Sequence, residues 1–200
     1  MDKIILLCLL AFIALGGCGG EKEYDSIPVG EMEWMRNNLS VFRFRNGDTL
    51  FCAQSDSDWA KAAYDTIPAY CFVPNYGDTV GLLYNYWAIA DERGLAPEGW
   101  RITTNEDWCY AKKIDSLCIH NVQDIFGQNK LNIVTYGLRG GDLKFYPGGC
   151  MYWVLGDTVR IAIPVDFEIK GNEHIGFVVL ENIPSPGTDR MGIFVRCVKG

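Results

Sequence analysis

The last third of the chain carries turn dipeptides between runs rich in β-branched and aromatic residues. "CMYWVL" and "TVRIAIPV" flank Gly156-Asp157, and "FEIK" and "EHIGFVV" flank Gly171-Asn172. Both dipeptides suit two-residue hairpin turns, so these runs predict antiparallel strands. "VFRFRNGDTLFCA" repeats the pattern nearer the N-terminus, with alternating runs around Asn46-Gly47. Tyr70 to Val73 is a further strand candidate, and "MGIFVRCVK" is expected to close the chain as a strand.

Helical signals are set among these hairpins. "SDSDWAKAAYD" offers Asp or Ser as a cap and places Trp59, Ala62 and Ala63 on one side. "GLLYNYWAIADERGLAPEGWRITTNEDW" then yields two helices. One runs from about Tyr84 to Asp91. The other starts at "TTNEDW", where Thr103 and Glu106 have capping-box spacing. Trp108, Ala111, Ile114 and Cys118 fall near one face of it at helical period. Helices among hairpins, without alternating βαβ units, give an α+β domain.

The N-terminus, "MDKIILLCLLAFIALGGCGGEKE", has one Lys before an apolar run from Ile4 to Leu15. A dozen residues fall short of the ~20 a membrane span needs, but match a signal-peptide core. Leu15-Gly16-Gly17-Cys18 resembles a bacterial lipobox, which implies cleavage before Cys18 and acylation of that residue. Gly19 rather than Asp after Cys18 resembles outer-membrane sorting. The expected organisation is a signal peptide over 1–17, a lipidated tether over 18–28 and one domain over 29–200. Apolar residues at 48% suffice for its core. The net charge of −7 suggests no phosphate-binding surface, hence no nucleic-acid partner.

Six cysteines follow Cys18: Cys52, Cys71, Cys109, Cys118, Cys150 and Cys197. An even number in an exported chain favours disulfides, with free buried thiols as the alternative. Cys109 and Cys118 can meet only if their helix ends before Cys118, because nine residues of continuous helix span roughly 13 Å. With no CxxC pair and only His120 and His174 to join them, no metal site is expected. Neither His sits in a recognisable motif, so no nucleophile–base pair can be assigned. Gly140-Gly141 and Gly148-Gly149 read as turns rather than a phosphate cradle. No catalytic residue and no cofactor are expected.

Several segments in order resemble the Fibrobacter succinogenes major paralogous domain family. Trp34-Met35 and Asn38-Leu39 in "EWMRNNLS" are similar to its opening, and "IPAYCFVPN" to its Pro-Ala-aromatic-Cys segment. "YNYWAIADERGLAPEGWRI" resembles its core, with Tyr84, Asn85, Trp87, Gly99 and Trp100 at motif positions, followed by Trp108. Gly137-Leu138-Arg139, Tyr152-Trp153 and "FVRCVKG", which contains Arg196, resemble its later steps. Thr103 stands where the family usually has Pro, and Val154-Leu155 replace a usual Ser pair.

"GWRITTNEDWCYA" also resembles a segment of the formylglycine-generating, sulfatase-modifying enzymes. That likeness implies a C-type-lectin-like core of twisted antiparallel sheets, two helices and long loops. The catalytic Cys motif of those enzymes has no counterpart here. The aromatic motif residues are then expected to join helices to sheet, because Trp and Tyr bury large areas and each needs one polar partner. Cys71 and Cys197 stand at Cys positions of the family resemblance and are expected to pair. The expected function is a lipid-anchored envelope protein, held to the membrane by its anchor, whose lectin-like domain binds a glycan or a protein. An enzyme of the sulfatase-modifying type and a subunit of a surface or fimbrial assembly are the alternatives. Asp-(Ser/Thr)-aliphatic triplets, such as Asp65-Thr66-Ile67, resemble an O-glycosylation signal of exported proteins and equally suit turns that open strands.

Overall fold

The two ends of the described chain meet in one sheet. The computed structural model describes residues 23–118, 136–147, 151–155, 160–169, 172–180 and 187–200, with backbone alone for 112–118, 160–180 within that set, and 188. In chain order the elements are β1 (Ser26–Val29), β2 (Met32–Met35), β3 (Phe51–Cys52), α1 (Asp56–Tyr64), β4 (Ala69–Val73), β5 (Gly77–Tyr84), α2 (Tyr86–Ala90), β6 (Trp100–Ile102) and α3 (Asn105–Cys118). They continue with β7 (Leu138–Arg139), β8 (Phe145–Tyr146), β9 (Tyr152–Val154), β10 (Arg160–Ile169), β11 (Asn172–Leu180), β12 (Phe194–Val195) and β13 (Cys197–Lys199).

The fold is α+β, with several small sheets and three α-helices among the described residues. One sheet has the order β1-β2-β13-β6, so the C-terminal strand lies between β2 and β6 and is antiparallel to both. A second has the order β11-β10-β9-β12, and β3-β4-β5 and β7-β8 complete the set. Pairing is mainly antiparallel, but β3 runs parallel to β4, and β12 parallel to β9. Ser26–Pro28, assigned above to the tether, belong to β1. Ile27 pairs with Trp34 and is buried, so core formation begins before Val29. Cys18 lies outside the described residues, as do 156–159 and Cys150.

Local chemistry accounts for the helix starts. Ser55 caps α1: its Oγ accepts from Asp58 N, and the Asp58 carboxylate returns a bond to Ser55 N, a capping box. Trp59, Ala62 and Ala63 are buried, as their spacing predicts. α2 is shorter than expected. Tyr84 finishes β5, and Asn85 is the cap, accepting from Ala88 N. At α3 the capping box sits one residue later than expected. Thr104 Oγ1 accepts from Asp107 N, and Asp107 Oδ2 accepts from Thr104 N at 2.7 Å. Thr103 is free for another task, because its hydroxyl accepts the Trp108 indole N–H at 3.0 Å.

The hairpins are realised with altered loops. Phe44 N donates to Asp48 O and Gly47 N to Phe44 O, which makes Arg45-Asn46-Gly47 a three-residue loop. Gly47 takes φ +93°, a left-handed conformation that glycine adopts without steric cost. Beyond that loop only Arg43 and Thr49 form a bridge. The described parts of "TVRIAIPV" and "FEIK", Arg160–Val165 and Phe167–Ile169, merge into the single strand β10. Within β10, β9 pairs with Arg160–Ala162, so Pro164, which lacks an N–H, lies past that ladder. Ile169 pairs with Asn172, which puts Asn172 in strand β11 rather than in the turn.

Among the described residues no expected disulfide is formed; Cys150 lies outside them and Cys118 is described in backbone alone. Cys52, Cys71, Cys109 and Cys197 are free thiols. Cys71 sits on β4 opposite Leu83, and Cys197 on β13 opposite Ile102, in different sheets and in different clusters of the core. α3 continues through Cys118, so the helix itself holds Cys109 and Cys118 beyond disulfide reach.

Candidate functional site

Most residues that carry the family resemblance build the frame. Trp34 and Trp108 meet edge to face at 5.0 Å, and Trp108 lies 5.1 Å from Tyr152. Trp34, Trp108, Tyr152, Trp153 and Tyr84 are all essentially inaccessible. Each long aromatic needs a partner for its polar end. Trp108 uses Thr103, and Trp153 Nε1 donates to Tyr84 O at 2.8 Å. The Tyr84 hydroxyl donates to Val41 O and accepts from Val41 N. The Trp34 and Trp87 indole N–H groups have no hydrogen-bond partner among the described residues. Trp100 is buried on β6, edge to face with Tyr24 at 6.2 Å. Gly99 takes φ +72°, with open space where a side chain would stand.

The motif's polar residues are buried too, and committed. Arg196 donates to Met35 O at 3.0 Å, to Arg36 O, and to Asn38 Oδ1 at 2.7 Å. Asn38 Nδ2 donates to Val80 O, and the Tyr152 hydroxyl donates to Asn38 Oδ1. Asn85 holds β4 and α2 together: Oδ1 accepts from Ala69 N and Ala88 N, while Nδ2 donates to Ile67 O. Arg139 reaches Asp56 Oδ1 at 2.7 Å and Leu143 O at 3.0 Å, with its guanidinium 5.5 Å from the Trp59 ring.

The buried thiols are chemically quiet. Burial pushes Cys71 up to about 12, although the neighbouring Arg139 works against it. Burial also pushes Cys197 up to about 12, against Arg196 and Arg101. A nucleophilic cysteine needs the opposite shift, because the thiolate is the reactive form. His174 lies on β11 opposite Phe167, described in backbone alone, and His120 lies outside the described residues. Among the described residues no three His, Cys, Asp or Glu gather to hold a metal ion.

The open feature lies elsewhere. A cleft of about 420 Å³ runs between the Val41–Arg45 segment and Leu95–Glu98, with Tyr24 beside it. Its size falls within the range of small-molecule sites, ~300–1,000 Å³. Phe42 is 40% exposed at its rim. Arg43 Nη1 donates to Gly47 O and Thr49 Oγ1, both at 2.9 Å. Arg45 donates from Nε to Ala96 O at 3.1 Å and from Nη2 to Trp100 O at 3.2 Å. Glu98 stands 3.8 Å from Arg45 and is largely exposed. Of this lining Ser40, Leu95, Pro97 and Glu98 fall within the motif segments. Tyr24, Phe42, Arg43, Arg45 and Glu98 were not singled out from sequence. The Phe-Arg alternation was the available signal, and it was legible only as strand patterning.

A family model described as the Fibrobacter succinogenes major domain matches residues 27–138. No curated protein and no solved structure matches the chain.

Proposed function

The chain belongs to the Fibrobacter succinogenes major domain family, and from that premise we propose that it is a lipid-anchored envelope protein serving as a non-catalytic binding module. Its ligand seats in the cleft between Val41–Arg45 and Leu95–Glu98. One observation carries this reading. The buried polar side chains of the motif hold the frame together, whereas the cleft presents aromatic and charged groups to solvent. That division suits a module whose scaffold is fixed and whose recognition surface is built from separate residues. A glycan is the ligand class we favour, on a domain of C-type-lectin-like architecture. The lipobox-like stretch ending at Cys18, with Gly19 after it, supports an outer-membrane anchor.

The enzymatic alternative needs a reactive thiol, and the elevated values of Cys71 and Cys197 speak against those two in that role. A glycan array probed with the full chain in detergent tests the reading, alongside a pull-down from envelope extract. Saturable capture of a defined glycan class is the expected result. Capture of a protein alone would replace the glycan assignment, and substrate turnover would overturn the module. Metabolic labelling with a fatty-acid analogue should mark the wild type and not Cys18→Ser; equal labelling would remove the anchor.

A further inference from the structure

We infer that the cleft takes an acidic saccharide, a sugar ring bearing a carboxylate; the inference rests on the binding reading above. Charge is the first argument. The chain as a whole carries −7, yet this cleft is lined by two guanidinium groups against the single carboxylate of Glu98. Guanidinium groups match a carboxylate in planar, two-point geometry.

Preorganisation is the second. Both arginines are tied to the frame through part of their donor set, Arg43 by Gly47 O and Thr49 Oγ1, Arg45 by Ala96 O and Trp100 O. Arg43 Nε and Nη2 and Arg45 Nη1 have no hydrogen-bond partner among the described residues. Side chains already fixed lose less entropy on binding than free ones do. The Arg45–Glu98 contact is long and solvated, so a ligand carboxylate displaces it at little cost.

The third argument separates a sugar from an extended peptide. A peptide would bind by adding a strand to the Val41–Arg45 segment, which requires free main-chain groups. Most of those groups are occupied on either side of Arg43. Tyr84 takes both Val41 N and Val41 O. Phe42 O accepts from Leu50 N, Phe44 N donates to Asp48 O, Phe44 O accepts from Gly47 N, and Arg45 N donates to Gly94 O. A strand could then be added over one residue at most, so recognition falls mainly to side chains. An exposed Phe42 ring offers an apolar face for the C–H side of a sugar, with the guanidinium donors for its acid and hydroxyl groups.

The test is titration calorimetry on the full chain with a galacturonate trisaccharide, its carboxyl-reduced neutral counterpart and an acidic hexapeptide. The acidic sugar should bind at least about tenfold more tightly than the neutral one, and the gap should narrow at high salt. Arg43→Ala should erase that preference, while Lys61→Ala, an exposed ion-pair residue on α1 outside the cleft, should keep it. Equal affinity for the two sugars overturns the acid assignment, as does an Arg43→Ala variant that still prefers the acidic one. Tighter binding of the peptide overturns the saccharide. Failure of both sugars while other glycans are captured defeats this inference and leaves the binding reading standing; failure of every glycan defeats both.

Discussion

Arg196 Nη2 and Asn38 Oδ1 lie 2.7 Å apart, although 158 positions separate them in the chain. The bond joins the turn after β2 to the link between β12 and β13, so one buried group ties the start of the domain to its end. Gly81 packs directly on this joint. A Cβ there would stand 2.4 Å from the Asn38 Cβ, which only glycine avoids. Removal of the guanidinium takes its donors from Met35 O and Arg36 O and leaves Asn38 Oδ1 with Tyr152 alone. Arg196→Ala should therefore cost about 3 kcal/mol or more, since each buried group left unsatisfied costs about 1–3 kcal/mol. A denaturant titration should show a lower midpoint at unchanged slope. A midpoint equal to wild type would mean the joint is dispensable.

The elements legible in the sequence are those decided locally. The Ser55 cap and the Trp59–Ala62–Ala63 face of α1 needed nothing beyond neighbouring residues. Where long-range packing competed, the reading shifted. Trp108 claims the Thr103 hydroxyl, so the cap passes to Thr104. The cysteine pairing was illegible because strand-like sequence does not say which sheet a strand joins. The cleft was illegible for a related reason, since it is assembled from residue 24, the 41–45 segment and the 95–98 loop.

Free thiols make a chemical prediction. Without reductant, Cys109 should react first with an alkylating agent in the native protein, because it alone of the four described thiols is exposed. Cys71 and Cys197 should react only after unfolding, and both should then be fully alkylated. A crosslinked Cys71–Cys197 peptide in non-reducing mapping would contradict the structure.

Thr66 holds φ +57° just past the end of α1, where Ile67 N returns to Ala62 O in a helix-terminating turn. A β-branched residue is strained there, and glycine is not. Thr66→Gly should stabilise the protein by about 1 kcal/mol, read as a higher denaturation midpoint. Destabilisation would mean that the Thr66 side chain makes compensating contacts.

Asp107 should shape the acid limb of stability. Burial pushes its carboxyl up, but Arg101, bonded at 2.5 and 2.9 Å, and Thr104 more than offset this and hold it below the usual carboxylate range. A group depressed in the folded state stabilises above its unfolded value, about 4, and that contribution fades as pH falls through the lower folded value. Asp107→Asn should flatten the stability profile below about pH 4. An acid limb identical to wild type would show that other carboxylates govern it.

The division between frame and cleft is tested most directly by a binding isotherm for a captured oligosaccharide on Phe42→Ala, with melting recorded on the same preparation and on Trp108→Ala. Trp108 is 1% exposed in the core, and its loss should cost about 3–5 kcal/mol. Phe42 is 40% exposed at the cleft rim, so its variant should melt within about 1 kcal/mol of wild type and bind at least about tenfold more weakly. Wild-type affinity in Phe42→Ala, or a Trp108→Ala that melts like wild type yet loses the ligand, would contradict the account.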